Sequence, residues 1–308
     1  MNTNISTAFA PATCANVAVG YDLLGFPFDS VGDTVTVKKV SDKRVTIKSI
    51  SGIAKNLPLS AEKNTAGIVL LELIKKCNLN FGFEIEIKKG IPVGSGMGGS
   101  AASSVAALVA ANVLIPSPLE KLELLELAFK GEELASGAAH ADNAAPCMLG
   151  GFNLVRSLTP LDVISLPLLE ELKVILIHPE IKIETKMARQ LLGENLPLKD
   201  FVSQSANLAG FISGIYTKDF NLIKRSLKDV LIEPRRESLI PGLRDCQKKA
   251  MELGALGCSI SGSGPSIFAL TIENEVNIKS AREEGFKKVN IEAQAWCGKI
   301  SKNGARII

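Results

Sequence analysis

PVGSGMGGSAASSVAALVAANVL, residues 92–114, decides the fold. Glycines at 94, 96, 98 and 99, with Ser95 and Ser100 among them, follow an apolar run at 83–91 and precede a long segment of Ala, Val and Leu. The order is therefore strand, glycine-rich loop, helix. Glycine admits left-handed backbone and lets the main chain come close to a ligand. The first N–H groups of the following helix are unpaired and carry the positive end of its dipole, so the loop suits a polyphosphate. Two common nucleotide fingerprints do not fit. No Lys follows the glycines as a Walker loop requires. Gly94, Gly96 and Gly99 match G-x-G-x-x-G only in form, with no acidic ribose ligand at the expected offset. The plainer alternative is a tight turn that packs a small-residue helix on a sheet.

The spacing resembles the PxGxGLGSSAA loop of the GHMP small-molecule kinases, named for galactokinase, homoserine kinase, mevalonate kinase and phosphomevalonate kinase. That resemblance implies ATP contacts along Pro92, Val93, Gly94, Ser95, Gly96, Met97, Gly98, Gly99, Ser100 and Ala101. Upstream, PATCANVAVGYDLLG (11–25) has small residues and no helical period, which predicts an irregular loop presenting Asn16 and Asp22 to a cleft. It resembles PATSANLGPGFD, the first motif of the homoserine kinases within that family. Pro11, Ala12, Thr13, Ala15, Asn16, Gly20 and Asp22 are in register. The resemblance implies that this loop reaches the phosphoryl acceptor, that Asp22 pairs with a substrate ammonium and that Asn16 bonds nearby.

Downstream, GEELASGAAHADNAAPCMLGGF (131–152) gathers Glu132, His140, Asp142 and Asn143. Its run SGxxHxDNxAPxxxGG again resembles the homoserine kinases. By that resemblance His140 belongs to the substrate site, and Ser100 and Glu132 hold Mg²⁺. Asp142 and Asn143 form the catalytic pair, with Asn143 orienting the acceptor hydroxyl. Mg²⁺ between two phosphates prefers one or two hard protein oxygens. Without the resemblance, Glu132 reads as a solvated helix-end charge. Asp142 is the obvious carboxylate candidate for a base. The base-free alternative lets the γ-phosphate accept the proton, since phosphoryl transfer depends mainly on positioning and charge neutralisation.

In HPEIKIETKMARQLL (178–192), Thr185 and Arg189 are four apart and share a helix face. The pattern resembles the homoserine-carboxylate site of the family. IEPRRESLIPG (232–242) carries the family's EPxR, whose fourth residue is Arg236, with Arg235 left open as its rival. Two guanidiniums offer planar paired donors that match one carboxylate. CSISGSGPSIFAL (258–270) resembles the third motif, a Gly-Ser turn between strands that in relatives buttresses the phosphate loop and the first motif. Asn64 opens a helical pattern at 64–77, either as its N-cap or, by resemblance, near the adenine. Two departures stand out: Gly99 where the family loop usually has Ser, and VAVGYD in place of LGPGFD.

Composition sets limits on the rest. The 308 residues are 46% hydrophobic and 22% charged, which fits a globular protein. The net charge of +3, scattered along the chain, leaves no footprint for nucleic acid. Residues 1–13 lack a basic and an apolar signal region, so a cytoplasmic protein is expected. The small-residue stretch 101–115 is too short and too polar to span a membrane. Six cysteines without a CxxC pair suggest reduced thiols, and two histidines exclude a His-rich metal centre. Alternation and helical period predict strands at 4–10, 33–39, 44–49, 81–88, 153–156 and 173–177, and a helix at 119–130. A Pro- and Leu-rich connector is expected at 158–168.

The family resemblance implies a two-domain α+β fold. Residues 1–158 form an ATP-binding domain like ribosomal protein S5 domain 2, and residues 159–308 a ferredoxin-like domain. It further implies transfer of phosphate from ATP to the hydroxyl of L-homoserine, a step toward threonine, with Mg²⁺, in a homodimer. Two alternatives stay open: a kinase for another small alcohol such as mevalonate or shikimate, and a silent relative that only binds a metabolite.

Overall fold

The structure, a computed structural model, describes residues 4–54, 56–137, 141–193 and 195–308. The chain opens with strands β1 (Ile5–Ala15), β2 (Leu24–Val40) and β3 (Val45–Gly52) and helix α1 (Thr65–Lys76). Strand β4 (Gly82–Lys89) and helices α2 (Gly99–Asn112), α3 (Lys121–Ser136) and α4 (Ala141–Leu149) follow, then the hairpin β5 (Phe152–Leu158) and β6 (Leu161–Leu166). β1, β2 and β4 lie side by side antiparallel, β3 runs parallel to β4, and β5 pairs with the start of β2. Helix α2 is the centre of this half. Ala101, Ala102, Ala106, Ala107, Ala110 and Ala111 are all fully buried, and such small side chains let it nest between the sheet and α1, α3 and α4.

The second half contains β7 (Lys173–Pro179), α5 (Thr185–Gln190), α6 (Leu198–Thr217), α7 (Phe220–Ser226), α8 (Glu233–Arg236) and α9 (Leu243–Glu252). It ends with β8 (Gly257–Ile260), β9 (Ile267–Thr271), α10 (Glu275–Lys287), β10 (Ala293–Lys299) and β11 (Arg306–Ile307). Its antiparallel sheet has the order β10-β7-β9-β8, the split βαβ arrangement of ferredoxin-like folds. β11 returns to the first sheet, where Ile307 pairs with Ala8. A chain of edge-on rings joins the halves: Phe26 meets Phe152 at 5.5 Å and Phe268 at 6.2 Å, and Phe152 meets Phe211 at 5.8 Å. One apolar cluster therefore spans both sheets, and the second sheet packs two smaller clusters of its own. All six cysteines are free thiols, and burial pushes that of Cys14 up to about 12.

Three sequence expectations need correction. Residues 11–15 continue β1 instead of beginning the irregular loop. From Ala10 onward the strand is buried on both faces, so it needs small residues and shows no alternation, and Pro11 is accommodated at a register shift. The helix expected at 119–130 runs on through Ser136, which places Glu132 on α3. Gly131 does not break it. A Cβ there would lie 2.1 Å from Ser104 Oγ, so the glycine serves close helix approach. Last, the expected connector at 158–168 is mostly strand: Pro160 sits in the turn of the β5–β6 hairpin, and β6 closes on β5 from Leu158↔Leu161 to Phe152↔Leu166.

Candidate active site

The glycine loop owes its shape to three left-handed residues, Gly94, Gly96 and Gly98, with φ of +68°, +73° and +66°. Space also demands glycine at two of them. A Cβ on Gly96 would lie 2.4 Å from Ser261 O, and one on Gly98 would lie 2.0 Å from Thr13 Oγ1 and 2.8 Å from Asn143 Oδ1. These close approaches mark where the motifs interlock. Thr13 N donates to Met97 O at 3.0 Å, and Thr13 Oγ1 donates to Asn143 Oδ1 at 2.7 Å. Ser261 Oγ donates to Gly96 O at 2.8 Å, Ser266 N to Ser95 O at 3.1 Å, and Gly262 N to Ala15 O at 3.2 Å. The β8–β9 turn thus braces both the glycine loop and the end of β1.

Beneath the loop lies a charge cluster that the sequence analysis missed. Asp33, fully buried, accepts from Lys89 Nζ, from Ser103 Oγ at 2.7 Å, and from the backbone of Gly90 and Ile91 at 3.0 and 3.2 Å. Lys89 Nζ also donates to Gly99 O and Ser103 Oγ, both at 2.9 Å. The strand end, the loop's entry and the first turn of α2 are therefore tied to one buried ion pair. Burial makes each partner indispensable to the other. The signal was present in the strands. Asp33 shares its inward parity with Val35 and Val37, and Lys89 shares its own with Phe83, Ile85 and Ile87.

A cleft of about 580 Å³ opens above the loop. Pro92, Val93, Gly94, Ser95, Gly96, Gly98, Gly99 and Ser100 line it, together with Asn64. Met97 and Ala101 do not; their side chains are wholly buried in the core. Asn64 is the N-cap of α1, accepting from Ala66 N at 3.0 Å, and it also lines the cleft. Ser100 Oγ donates to Glu132 Oε1 at 2.6 Å, which sets two hard oxygens side by side at the mouth of α2. Asp142 and Asn143, in the first turn of α4, line the same wall. His140 lies outside the described residues.

The opposite end of the cleft is made of side chains on irregular backbone. Asn16, Val17, Ala18 and Asp22 all take positive φ, an uncommon concentration for residues with side chains. Asn16 stabilises the bend by donating from Nδ2 to Gly262 O at 2.8 Å and accepting from Asp22 N at 3.0 Å. Arg189 donates from one Nη to both carboxylate oxygens of Asp22, at 3.0 and 2.8 Å. Burial opposes the charge on Arg189, but Asp22 and Tyr21 outweigh it and hold the guanidinium above its ordinary value. Arg236 is buried, donating to Ala188 O and Gly262 O at 3.1 Å each, and its desolvation pulls its value down. The Tyr21 ring lies beneath both guanidiniums, at 5.6 Å from Arg189 and 5.4 Å from Arg236. Thr185 Oγ1 meets Ser263 Oγ at 3.2 Å at the cleft edge. Arg235 is absent from the lining and bonds back to Leu231 O.

Comparison with known proteins identifies the family. The family model described as GHMP kinases N terminal domain matches residues 64–151, and GHMP kinases C terminal matches 211–290. The chain is 48% identical to the homoserine kinase of Xylella fastidiosa strain M12 over 305 residues, covering 98% of this chain and 93% of that protein. It is 43% identical to that of Chlorobium phaeobacteroides strain BS1, covering 98% and 99%. A crystal structure of homoserine kinase from Cytophaga hutchinsonii superposes with a TM-score of 0.96 at 44% identity, covering 99% of this chain and 98% of that one. The mevalonate kinase of Methanococcus jannaschii, at 16% identity and a TM-score of 0.70, shares the fold. At 43–48% identity to the first two of these relatives over nearly its whole length, the chain belongs to the homoserine kinases, within the GHMP kinase family.

Proposed function

We propose that this protein transfers the γ-phosphoryl group of ATP to the side-chain hydroxyl of L-homoserine, giving ADP and O-phospho-L-homoserine on the route to threonine. The observation that carries this is the polarity of the cleft. One end offers backbone N–H groups and the Ser100–Glu132 oxygens; the other offers a carboxylate, Asp22, beside two guanidiniums, Arg189 and Arg236. An amino acid zwitterion matches the second end charge for charge. Its ammonium takes Asp22, and its carboxylate takes Arg189 and Arg236, with Thr185 adjoining. An acceptor without an ammonium leaves Asp22 with no such match.

The Ser100 and Glu132 oxygens fit Mg²⁺, which accepts one or two protein oxygens and keeps waters elsewhere. Held there by Ser100 and Glu132, the ion would supply positive charge that neutralises the transferring phosphoryl group. Helix α2 and the glycine loop hold the phosphate chain. Thr13 occupies the Oδ1 of Asn143, leaving the Nδ2 end of that amide to orient the acceptor hydroxyl. The hydroxyl oxygen forms the new P–O bond, the bond to the β-phosphate oxygen breaks, and the hydroxyl proton passes to the transferred phosphate. Asp142 orients its neighbours in this scheme and takes no proton.

A coupled ADP-release assay with homoserine, mevalonate and shikimate, run with and without Mg²⁺, tests the assignment. Turnover with homoserine alone, abolished by chelation, is expected; faster turnover with either other alcohol refutes it. Asp142→Asn tests the proton route, since removal of a general base costs roughly 10²- to 10⁴-fold. The base-free scheme expects a loss below about a thousandfold, with no acidic limb removed from the rate profile.

A further inference from the structure

A triphosphate brings several negative charges to a loop that has no lysine of its own, and backbone dipoles supply only about half a positive charge at a helix start. Five cations line the cleft: Lys89, Lys182, Lys186, Arg189 and Arg236. Three are committed. Lys89 is locked to Asp33, Arg189 faces Asp22, and Arg236 is buried against main-chain carbonyls over Tyr21. Lys182 and Lys186 are exposed, and neither forms an ion pair among the described residues. Glu184, which shares their segment and also lines the cleft, pairs with neither.

Position separates the two lysines. The β7–α5 connection crosses directly over the glycine loop, so that a Cβ built on Gly94 would lie 3.3 Å from Ile183 O and 3.5 Å from Lys182 Cγ. The stem of Lys182 is therefore already in contact distance of the loop, with Cδ, Cε and Nζ still to extend from it. No atom of Lys186 comes within 4 Å of a Cβ built on Gly94.

We propose that Lys182 supplies, from the second domain, the phosphate-binding cation that the glycine loop lacks. Its Nζ donates to the phosphate chain of the bound nucleotide. Lysine serves such a site as a compact point charge on a flexible stem. Lys182 also lies three residues before Thr185 and seven before Arg189 on the same connection and helix, so a nucleotide held by Lys182 also steadies the segment that carries the acceptor end. The inference rests on the kinase assignment above, but only on its nucleotide half.

The test is calorimetric binding of the non-hydrolysable analogue AMP-PNP, of ADP and of adenosine to the full chain, to Lys182→Met, to Lys182→Arg and to Lys186→Met. Lys182→Met should weaken AMP-PNP about tenfold or more, weaken ADP less and leave adenosine unchanged. Lys182→Arg should restore most of the loss, and AMP-PNP binding to Lys182→Met should respond less to added salt. A merely structural role would move adenosine and AMP-PNP together, and that result overturns the proposal. Unchanged AMP-PNP affinity in Lys182→Met overturns it as well, as does a phosphate-dependent loss confined to Lys186→Met. Homoserine turnover by the unaltered chain is read separately. Its absence, beside a phosphate-dependent loss in Lys182→Met, refutes the acceptor assignment and supports the role of Lys182.

Discussion

The two ends of the cleft are built in opposite ways. The phosphate end is main chain, shaped by glycines and fixed from below by the buried Asp33–Lys89–Ser103 cluster. The other end is side chain: Asp22 and Arg189 are 38% and 40% exposed as they pair, and Arg236 is buried behind them against main-chain carbonyls. On the proposed assignment, the difference suits what each end would bind. A phosphate chain presents the same oxygens every time, so a rigid cradle costs nothing in fidelity. A zwitterion must be told from other alcohols, and a pair of opposite charges that it alone can exchange with does this.

If the phosphate end is rigid because of its buried pair, breaking the pair gives the largest effect. Asp33→Leu strands Lys89 in the core, and Lys89→Met strands Asp33. Each should lose about 3–5 kcal/mol in urea unfolding. The double variant should lose less than their sum, because no uncompensated charge remains. Additive losses would mean the cluster is not a unit, and the contrast between the two ends would fall.

The other end should respond in binding, with a smaller loss of stability from the two main-chain carbonyls that Arg236 leaves unpaired. Arg236→Met removes a charge-assisted contact worth roughly 1.5–3 kcal/mol, or about ten- to a hundredfold in the Michaelis constant for homoserine. The constant for ATP should stay close to its original value. Arg235→Met should change neither, since Arg235 turns back to Leu231 O. The reverse outcome for the two arginines would move the acceptor pocket to the other face of α8.

The smallest effect concerns the brace between the ends. His178 on β7 shares a hydrogen bond with Ser266 Oγ at 3.1 Å, and burial lowers its imidazole below the ordinary 6.5. The unfolded chain then binds the proton more readily than the folded one. Stability is accordingly full above the unfolded value and declines as pH falls through about 6.5 toward the lowered folded value. Thermal melting of His178→Gln should show a shallower decline over that window than the unaltered chain.

Much of this arrangement was legible because it depends on residues with few alternatives. Positive φ at 94, 96 and 98 calls for glycine, so the phosphate loop is spelled in its own letters. Other parts were hidden for physical reasons. From Ala10 onward β1 is buried on both faces and loses the alternation that announces a strand, while Gly131 looked like a helix end and is a contact point. Arg235 and Arg236 are neighbours, and which one faces the cleft depends on the phase of a four-residue helix. Asp229 sets that phase by accepting from the backbone of Leu231, Ile232 and Glu233 at 2.8–2.9 Å, a long-lever effect that no local pattern reveals. Asp33 and Lys89 could have been found by asking which charges share the inward parity of their strands. The pairing of Asp22 with Arg189 could not, since 167 residues separate them.

The return of β11 to the first sheet bears on how the protein is made. Ile307 pairs with Ala8, Ile308 N donates to Thr7 O at 3.0 Å, and Ala305 N donates to Cys147 O at 2.7 Å. On a ribosome, residues 4–166 would emerge before the strand that pairs along the outer edge of β1 is made. That edge can recruit another nascent chain until residue 307 has left the exit tunnel. Synthesis therefore finishes the domain that it began first only after the second has been threaded, and a gene cut between the two halves yields a first half prone to sticking to itself.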